Sequence, residues 1–279
     1  MIKNFSELKI QLQQSGQKRR IAAVCVNDEA TRGALEEAVE AGLAEAIYID
    51  DENPQEAAAR AVALVRQGEA DVLMKGLIGT DQLLRAVLNK ETGILPQGRV
   101  LTHLTLAQVP GYPRLLLFTD AAVIPYPTQE QRIEQVRYVA DAAHALGISE
   151  PRIALLHCAE HGGKQFPFVD GYKDIISMAR DGAFGPCIVD GPLDLKTACS
   201  PEALAAKRLT SPLEGRADAL VLPDIEAGNT LYKALTLFTE TRTAGILCGT
   251  TAPVVVPSRG DSADVKFNSI LLALATLNT

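Results

Sequence analysis

The chain has 279 residues, enough for about two domains at roughly 150 residues each, or one large one. Hydrophobic residues make up 47% and charged residues 22%, which excludes a disordered chain and leaves material for a sizeable core. Lys and Arg number 27 against 34 Asp and Glu, a net charge of −7 with no long block of either sign. Attraction to nucleic acid through bulk charge is therefore not expected. Five isolated cysteines (Cys25, Cys158, Cys187, Cys199, Cys248) form no Cys-x-x-Cys, the pattern of a reduced intracellular protein. The first ten residues, MIKNFSELKI, lack the apolar run of a signal peptide. The longest uncharged stretches (100–113, 243–258 and 267–279) are shorter than a membrane span requires. The expectation is a soluble, cytoplasmic protein with no membrane partner.

Short runs rich in Val, Ile and Leu alternate with amphipathic stretches. The strands predicted in chain order are RIAAVCV (20–26), AIYID (46–50), DVLMKG (71–76), RVLTHLTLAQV (99–109) and RLLLFTD (114–120). The last two flank Pro110-Gly111-Tyr112-Pro113, a turn signal. RIALLHC (152–158), CIVDGP (187–192), ALVLPD (219–224), GILCG (245–249) and PVVVP (253–257) follow. Helical patterns include residues 28–42, 54–68 and 128–147, each with apolar residues three and four apart and a closing Gly. Unalternating apolar strands separated by helices predict an α/β protein, its largely parallel sheets covered on both faces. In such folds the chemistry lies at the carboxyl ends of strands. A change of lobe is expected near Pro125-Tyr126-Pro127.

Several common sites are absent: Gly-x-Gly-x-x-Gly after the first strand, Gly-x4-Gly-Lys-Ser/Thr, His-Glu-x-x-His and Gly-x-Ser-x-Gly. The strongest remaining segment is PSRGDSADVKFNSILLAL (257–274), where a strand ends in Ser258-Arg259-Gly260 and a helix starts near Ser262. Helix-start N–H groups with the Arg259 guanidinium and the Ser258 hydroxyl make an anion site. The plainer alternative is a helix capped by Asp261, with Asp264 as its capping-box partner. In ADALVLPDIEAGNTLYKAL (217–235), Asp224, Glu226, Gly228 and Asn229 either position a ligand or cap a helix. In IVDGPLDL (188–195), Asp190 stands at a strand end or in a tight turn. In LMKGLIGTDQLLRAVL (73–88), Lys75 and Gly76 precede a helix expected to be capped by Thr80, and a lysine at a parallel strand end suits an anion. His157, Cys158, Glu160 and His161 superficially suggest a metal site, but strand alternation points His157 and Cys158 to opposite faces. No activating base is evident for Cys158 as a nucleophile.

Taken together in their order, these segments and RVLTHLTLAQVPGYPRLLLFTDAAV (99–123) resemble the phosphate acetyl/butyryl transferases, with similarity from about residue 70 to the C-terminus. LPDIEAGN and SRGDSA are closer to the butyryl than to the acetyl members. The resemblance implies an isocitrate/isopropylmalate dehydrogenase-like fold, two α/β lobes with a cleft between them. Residues 1–125 and 255–279 are expected to form the first lobe and 126–254 the second. It implies the reaction of acyl-CoA with phosphate to give acyl phosphate and free CoA. Coenzyme A is then a substrate rather than a cofactor, no metal is needed, and a homodimer or higher homo-oligomer is expected. Arg259 would hold phosphate, Ser258 would donate to the oxyanion and Asp264 would take the CoA thiol proton, with Asp261 as substitute. Lys75, Gly76, Thr80, Asp190, Asp224, Glu226, Gly228, Asn229, Gly260, Asp261 and Ser262 would line the substrate. The acetyl members carry their acidic base at the position of Val265, and HCAEHGGKQFPF (157–168) departs from their usual Asn-Pro loop. The rival expectations are phosphate acetyltransfer, a metal- and nicotinamide-dependent oxidoreductase on the same scaffold, and a small-molecule binding protein.

Overall fold

The computed structural model describes residues 2–277. Its elements begin with α1 (Phe5–Ser15), β1 (Arg19–Val24), α2 (Glu29–Glu40), β2 (Ala44–Ile49), α3 (Pro54–Arg66), β3 (Val72–Lys75) and α4 (Thr80–Val87). Next are β4 (Thr102–Gln108), β5 (Leu116–Thr119), α5 (Gln129–Ala145), β6 (Arg152–Leu156), a 3-10 turn (Pro167–Gly171) and α6 (Tyr172–Arg180). The chain continues through β7 (Ile188–Leu193), α7 (Leu195–Cys199), α8 (Pro201–Ala206), β8 (Ala219–Val221) and α9 (Ile225–Phe238). It closes with β9 (Arg242–Cys248), β10 (Val254–Val255) and α10 (Ala263–Thr276). The α/β class read from the sequence is the class observed. Among the described residues no helix is long and apolar enough to cross a membrane.

The chain divides into two compact units. A terminal unit comprises Asn4–Leu101 and the segment from Arg242 onward, and a middle unit is centred on Thr102–Thr241. These boundaries differ from the expected 125 and 254. β4 and β5 fall in the middle unit because β5 pairs with β8, and β9 falls in the terminal unit because it pairs with β10.

In the terminal unit the strand order is β2-β1-β3-β10-β9. The first four strands run parallel, and β9 is antiparallel to β10. Ile21, Ala22, Ala23 and Val24 of β1 are fully buried, so the strand carries no polar alternation: helices cover both faces. The helices start where side chains satisfy their free N–H groups. Asp28 caps α2, Asn53 caps α3 ahead of Pro54, and Ser262 caps α10. α3 buries Ala57, Ala58, Ala61, Val62 and Val65, one apolar stripe at helical spacing.

The middle unit has the order β4-β5-β8-β6-β7. β4 and β5 form an antiparallel hairpin around the Pro110–Pro113 turn, where Gly111 takes a φ of 81°. The other neighbours are parallel. Phe118, Leu156, Leu193, Leu213 and Leu220 fill the core of this unit. β7 runs past Asp190, through Gly191 and Pro192 to Leu193, one residue beyond the 187–192 run read from the sequence. Ala154 opposes Asp190 and Leu156 opposes Leu193, so two residues of β7 face one of β6 in a bulge. A side chain on Gly191 would place its Cβ 2.6 Å from the Leu155 carbonyl oxygen, which explains the glycine.

Candidate active site

Three parallel strands of the terminal unit, β1, β3 and β10, end side by side, and two of them, β3 and β10, lead into candidate site residues. Val24 of β1 lies opposite Lys75 of β3, and Val255 of β10 opposite Met74. The Gly76 amide donates to the Val24 carbonyl at 2.8 Å and the Leu77 amide to the Cys25 carbonyl at 2.8 Å, stitching the ends of β1 and β3 together. A Cβ on Gly76 would fall 2.2 Å from the Cys25 carbonyl oxygen. Gly76 is therefore demanded by the close approach of two backbones, whatever it does toward a ligand.

Lys75 is buried at 3% exposure. Its ammonium meets two carbonyl oxygens, Gly76 at 3.1 Å and Pro257 at 3.5 Å, and no carboxylate is among its hydrogen-bond partners. Burial pushes its pKa below the usual lysine range; Arg259 and then Lys266 push the same way, and Asp28 and Asp261 only partly oppose them. Lys266 is paired with Asp28, so the positive charge left for an anion in this corner is that of Arg259, with the Lys75 nitrogen beside it.

Pro257 leads directly into the Ser258–Ser262 turn. Asp261 accepts from the Ser258 amide at 2.7 Å and donates its own amide to the Ser258 carbonyl at 3.2 Å, which closes the turn. The helix cap is Ser262, whose Oγ accepts from the Val265 amide at 3.3 Å. Asp261 is thus the turn-maker rather than the expected cap. Ser258, Arg259 and Gly260 are exposed, and among the described residues the Arg259 guanidinium forms no hydrogen bond or ion pair. An unpaired arginine beside a free hydroxyl and a helix start can grip a tetrahedral oxyanion.

Asp264 is placed elsewhere. It lines a cavity of about 210 Å³ with Phe5, Lys9, Glu37 and Arg242, on the α1 side of α10. Lys266, two positions and about 200° further round the helix, turns inward instead. Its Nζ reaches Asp28 Oδ1 at 2.7 Å and Thr31 Oγ1 at 2.9 Å. The other oxygen of Asp28 is buried without a hydrogen-bond partner. Asp28, Thr31 and Lys266 were not singled out from the sequence. The available signal was a single lysine directly before the apolar run FNSILLALA (267–275).

Thr80 is the first residue of α4 and is exposed; the cap position belongs to Gly79, whose amide is held by Gln82 Oε1 at 3.2 Å. A glycine there lets the Gln82 side chain fold back over the helix start, so Thr80 does not cap.

The acidic residues of the middle unit have partners within it. Asp224 caps α9 through the Ala227 amide at 2.8 Å, and Glu226 accepts from the Tyr126 hydroxyl at 2.8 Å. Asn229 donates to the Ala121 carbonyl at 3.0 Å, and a Cβ on Gly228 would lie 2.0 Å from the Asp120 carbonyl oxygen. The PDIEAGN segment therefore docks α9 onto the loop after β5. Asp190 accepts from Ser211 Oγ at 2.5 Å. Asp120, buried at 2% exposure, accepts from Thr102 Oγ1 and from the amides of His103, Ala122, Val123 and Ile124. His157 packs edge-on to Phe166 at 4.6 Å, and Glu160 pairs with Lys207 at 2.6 Å. Among the described residues no group of three His, Cys, Asp or Glu side chains is placed to hold a metal ion.

Parallel strands ending in a cationic turn before a capped helix form a setting suited to phosphate-like anions. The model of the phosphate acetyl/butaryl transferase family matches residues 51–274. The chain is 38% identical to the phosphate butyryltransferase of Clostridium beijerinckii over 98% of its own length and 97% of that protein. It is 36% identical to the phosphate acetyltransferase of Thermotoga maritima, over 79% of this chain and 74% of that one. The crystal structure of a branched-chain phosphotransacylase from Enterococcus faecalis superposes with a TM-score of 0.84 at 32% identity, covering 93% of this chain and 99% of that one. The chain belongs to the phosphate acetyl/butaryl transferase family.

Proposed function

We propose that this enzyme transfers a short-chain acyl group, butyryl or similar, between coenzyme A and inorganic phosphate. The observation that carries the reading is the exposed, unpartnered Arg259 on a strand-end turn beside Lys75, a buried lysine with only carbonyl partners. Hydrogen phosphate bound there gains a bidentate guanidinium contact, the side-chain nitrogen of Lys75 and the N–H groups that open α10. One phosphate oxygen attacks the thioester carbonyl. The carbon–oxygen bond forms first, which puts the negative charge on the carbonyl oxygen; the carbon–sulfur bond then breaks as the carbonyl re-forms, and the phosphate proton ends on the departing sulfur. Ser258 donates to the oxyanion that develops between the two steps. Direct transfer needs no covalent enzyme intermediate, and coenzyme A is a substrate, with no resident cofactor in the scheme.

Under this reading the enzyme works in the cytoplasm, where its free cysteines stay reduced. It works as a homo-oligomer. α9 buries only Gly228 and leaves Leu237 and Phe238 at 74% and 80% exposure, an apolar face that supports pairing with a second copy.

The test is thiol release from butyryl-CoA on addition of phosphate, with sulfate as control and acetyl-CoA as competitor. Phosphate-dependent release is expected, with kcat/KM for butyryl-CoA above that for acetyl-CoA by about 10-fold or more, since each buried methylene is worth ~1–3 kcal/mol. Absence of phosphate-dependent release would remove the reading. A strong acetyl preference would shift the assignment to acetyl transfer.

A further inference from the structure

The transfer moves one proton between sulfur and phosphate, and the carboxylates around the anion corner are poorly suited to carry it. Asp264 lies on the α1 side of α10, and the adjoining position is an uncharged valine, Val265. Asp261 is held by the Ser258 amide. Asp28 has one free oxygen, yet its carboxyl lies below the ordinary range: burial pushes it up, but hydrogen bonds from Lys266 and Thr31 outweigh that. A carboxylate that holds its proton so weakly is a poor base toward a thiol.

Lys75 is differently placed. A lysine nitrogen has three positions beyond its carbon bond, and two of them here point to the carbonyls of Gly76 and Pro257. The third is left over, at a nitrogen bonded to the residue that immediately precedes Ser258. We infer that Lys75 is the proton carrier of the acyl transfer, shuttling one proton between the coenzyme A sulfur and the phosphate oxygen through that third position. The inference rests on the phosphate acyltransferase reading and extends it to a residue with a catalytic role.

In the direction of acyl-CoA synthesis, the neutral amine takes the thiol proton, so the S–H bond breaks and an N–H bond forms. The sulfur attacks the acyl carbon; the carbon–sulfur bond forms and the carbon–oxygen bond to phosphate breaks. The new ammonium gives its proton to the departing oxygen, hydrogen phosphate leaves, and the amine is regenerated. The reverse direction retraces these steps, and no electrons are exchanged with any outside group. While protonated, Lys75 also balances the charge that builds on the leaving phosphate.

The groups around Lys75 support the amine form. Arg259 and Lys266 from the β10–α10 segment repel the ammonium; Asp28 at the start of α2 and Asp261 in the turn attract it. Cys25 at the end of β1 is itself pushed up by burial, Asp50 and Asp51, and so stays a neutral thiol. Burial adds to the repulsion, and the balance lowers the lysine.

The experiment compares the parent with Lys75→Ala and Lys75→Arg in the acyl-phosphate-to-CoA direction, with folding checked by circular dichroism. Arginine keeps the charge but cannot release a proton. Both variants are expected to lose about 10²-fold or more in kcat, with the KM for acyl phosphate raised less in Lys75→Arg. The limb of the kcat–pH profile that rises as an amine deprotonates is expected to vanish in both. Free methylamine is expected to restore Lys75→Ala in proportion to its neutral form. A folded Lys75→Arg with the parent's kcat and pH profile would overturn the inference, as would a folded Lys75→Ala that keeps the limb. Should neither variant fold, the parent decides: an ammonium limb stays in place when organic solvent is added, whereas a thiol or carboxyl limb moves up. A parent inactive with phosphate and butyryl-CoA removes the acyltransferase reading itself; an active parent that fails the lysine tests removes only Lys75.

Discussion

Replacing Lys266 by Met keeps the length of the side chain and deletes its charge, which isolates the ion pair that fixes α10 on α2. Lys266 is 4% exposed and Asp28 20%, with 2.7 Å between Nζ and Oδ1. In Lys266→Met, Asp28 keeps the Thr31 amide on one oxygen, while its other oxygen stays buried without a partner. Breaking a buried pair by removing one member costs about 3–5 kcal/mol. Water still reaches a fifth of the Asp28 side chain, so the lower end, about 3 kcal/mol, is expected. Removing both charges in Lys266→Met/Asp28→Asn is expected to cost only about 1 kcal/mol, because no unpaired charge remains. The two single costs should therefore exceed the double by about 2 kcal/mol or more. Urea unfolding reads this as a midpoint lowered by roughly 1 M for Lys266→Met at a slope near 3 kcal/mol/M. Amide exchange in α2 and α10 assigns the loss to the terminal unit. Additive costs, or a Lys266→Met variant within 0.5 kcal/mol of the parent by this ~±0.5 kcal/mol criterion, would refute the claim that the pair is coupled.

Arg259→Lys is expected to lower kcat/KM by about 30-fold to 10³-fold, because an ammonium cannot reproduce the guanidinium fork. Its unfolding curve should match the parent's, since Arg259 is exposed and unpaired; steady-state kinetics beside thermal melts check both. Gly76→Ala is expected to destabilise the protein by more than ~2 kcal/mol, because its Cβ would fall 2.2 Å from the Cys25 carbonyl oxygen, and that backbone is pinned by the Leu77 amide. A Gly76→Ala variant with the parent's melting temperature would contradict that packing. Burial pushes the Asp194 carboxyl up, but Lys207 and the Thr197 amide and hydroxyl pull it down to about 2. A depressed carboxyl stabilises the fold above its unfolded value near 4 and loses that contribution as pH falls through the folded one. Lys207→Met should therefore flatten the stability profile between about pH 4 and pH 2, and an unchanged acid limb by urea titration would count against the pair.

The backbone of this molecule was more legible than its site. Asp28 and Thr128 were read as the starts of helical segments, and both cap helices, because a side chain that satisfies its own neighbour's N–H is a local signal. Gly111 within Pro110–Pro113 announced the hairpin for the same reason: the left-handed turn is written in four consecutive residues. Local patterning could not show which charge a folded strand end would meet. Asp261 and Ser262 are adjacent and both can cap a helix; only the positions of the Ser258 and Val265 amides give the turn to one and the cap to the other. Asp264 stands five residues after Arg259 in the sequence, yet its side chain lines the cavity with Phe5, Lys9 and Arg242 on the α1 side of α10, which spacing along the chain did not foretell. Conversely, Asp28 and Lys266 are separated by 238 positions and meet at 2.7 Å. The glycines of PDIEAGN and of Lys75-Gly76 looked like ligand cradles, and in the fold each is where two backbones crowd together. Catalytic signals and packing signals use the same residues at strand ends. What separates them is whether the fold leaves a group without a protein partner. By that criterion Arg259 and the third position on Lys75 are where we propose that the substrate binds, whereas Asp224, Gly228 and Asn229 meet partners within their own unit.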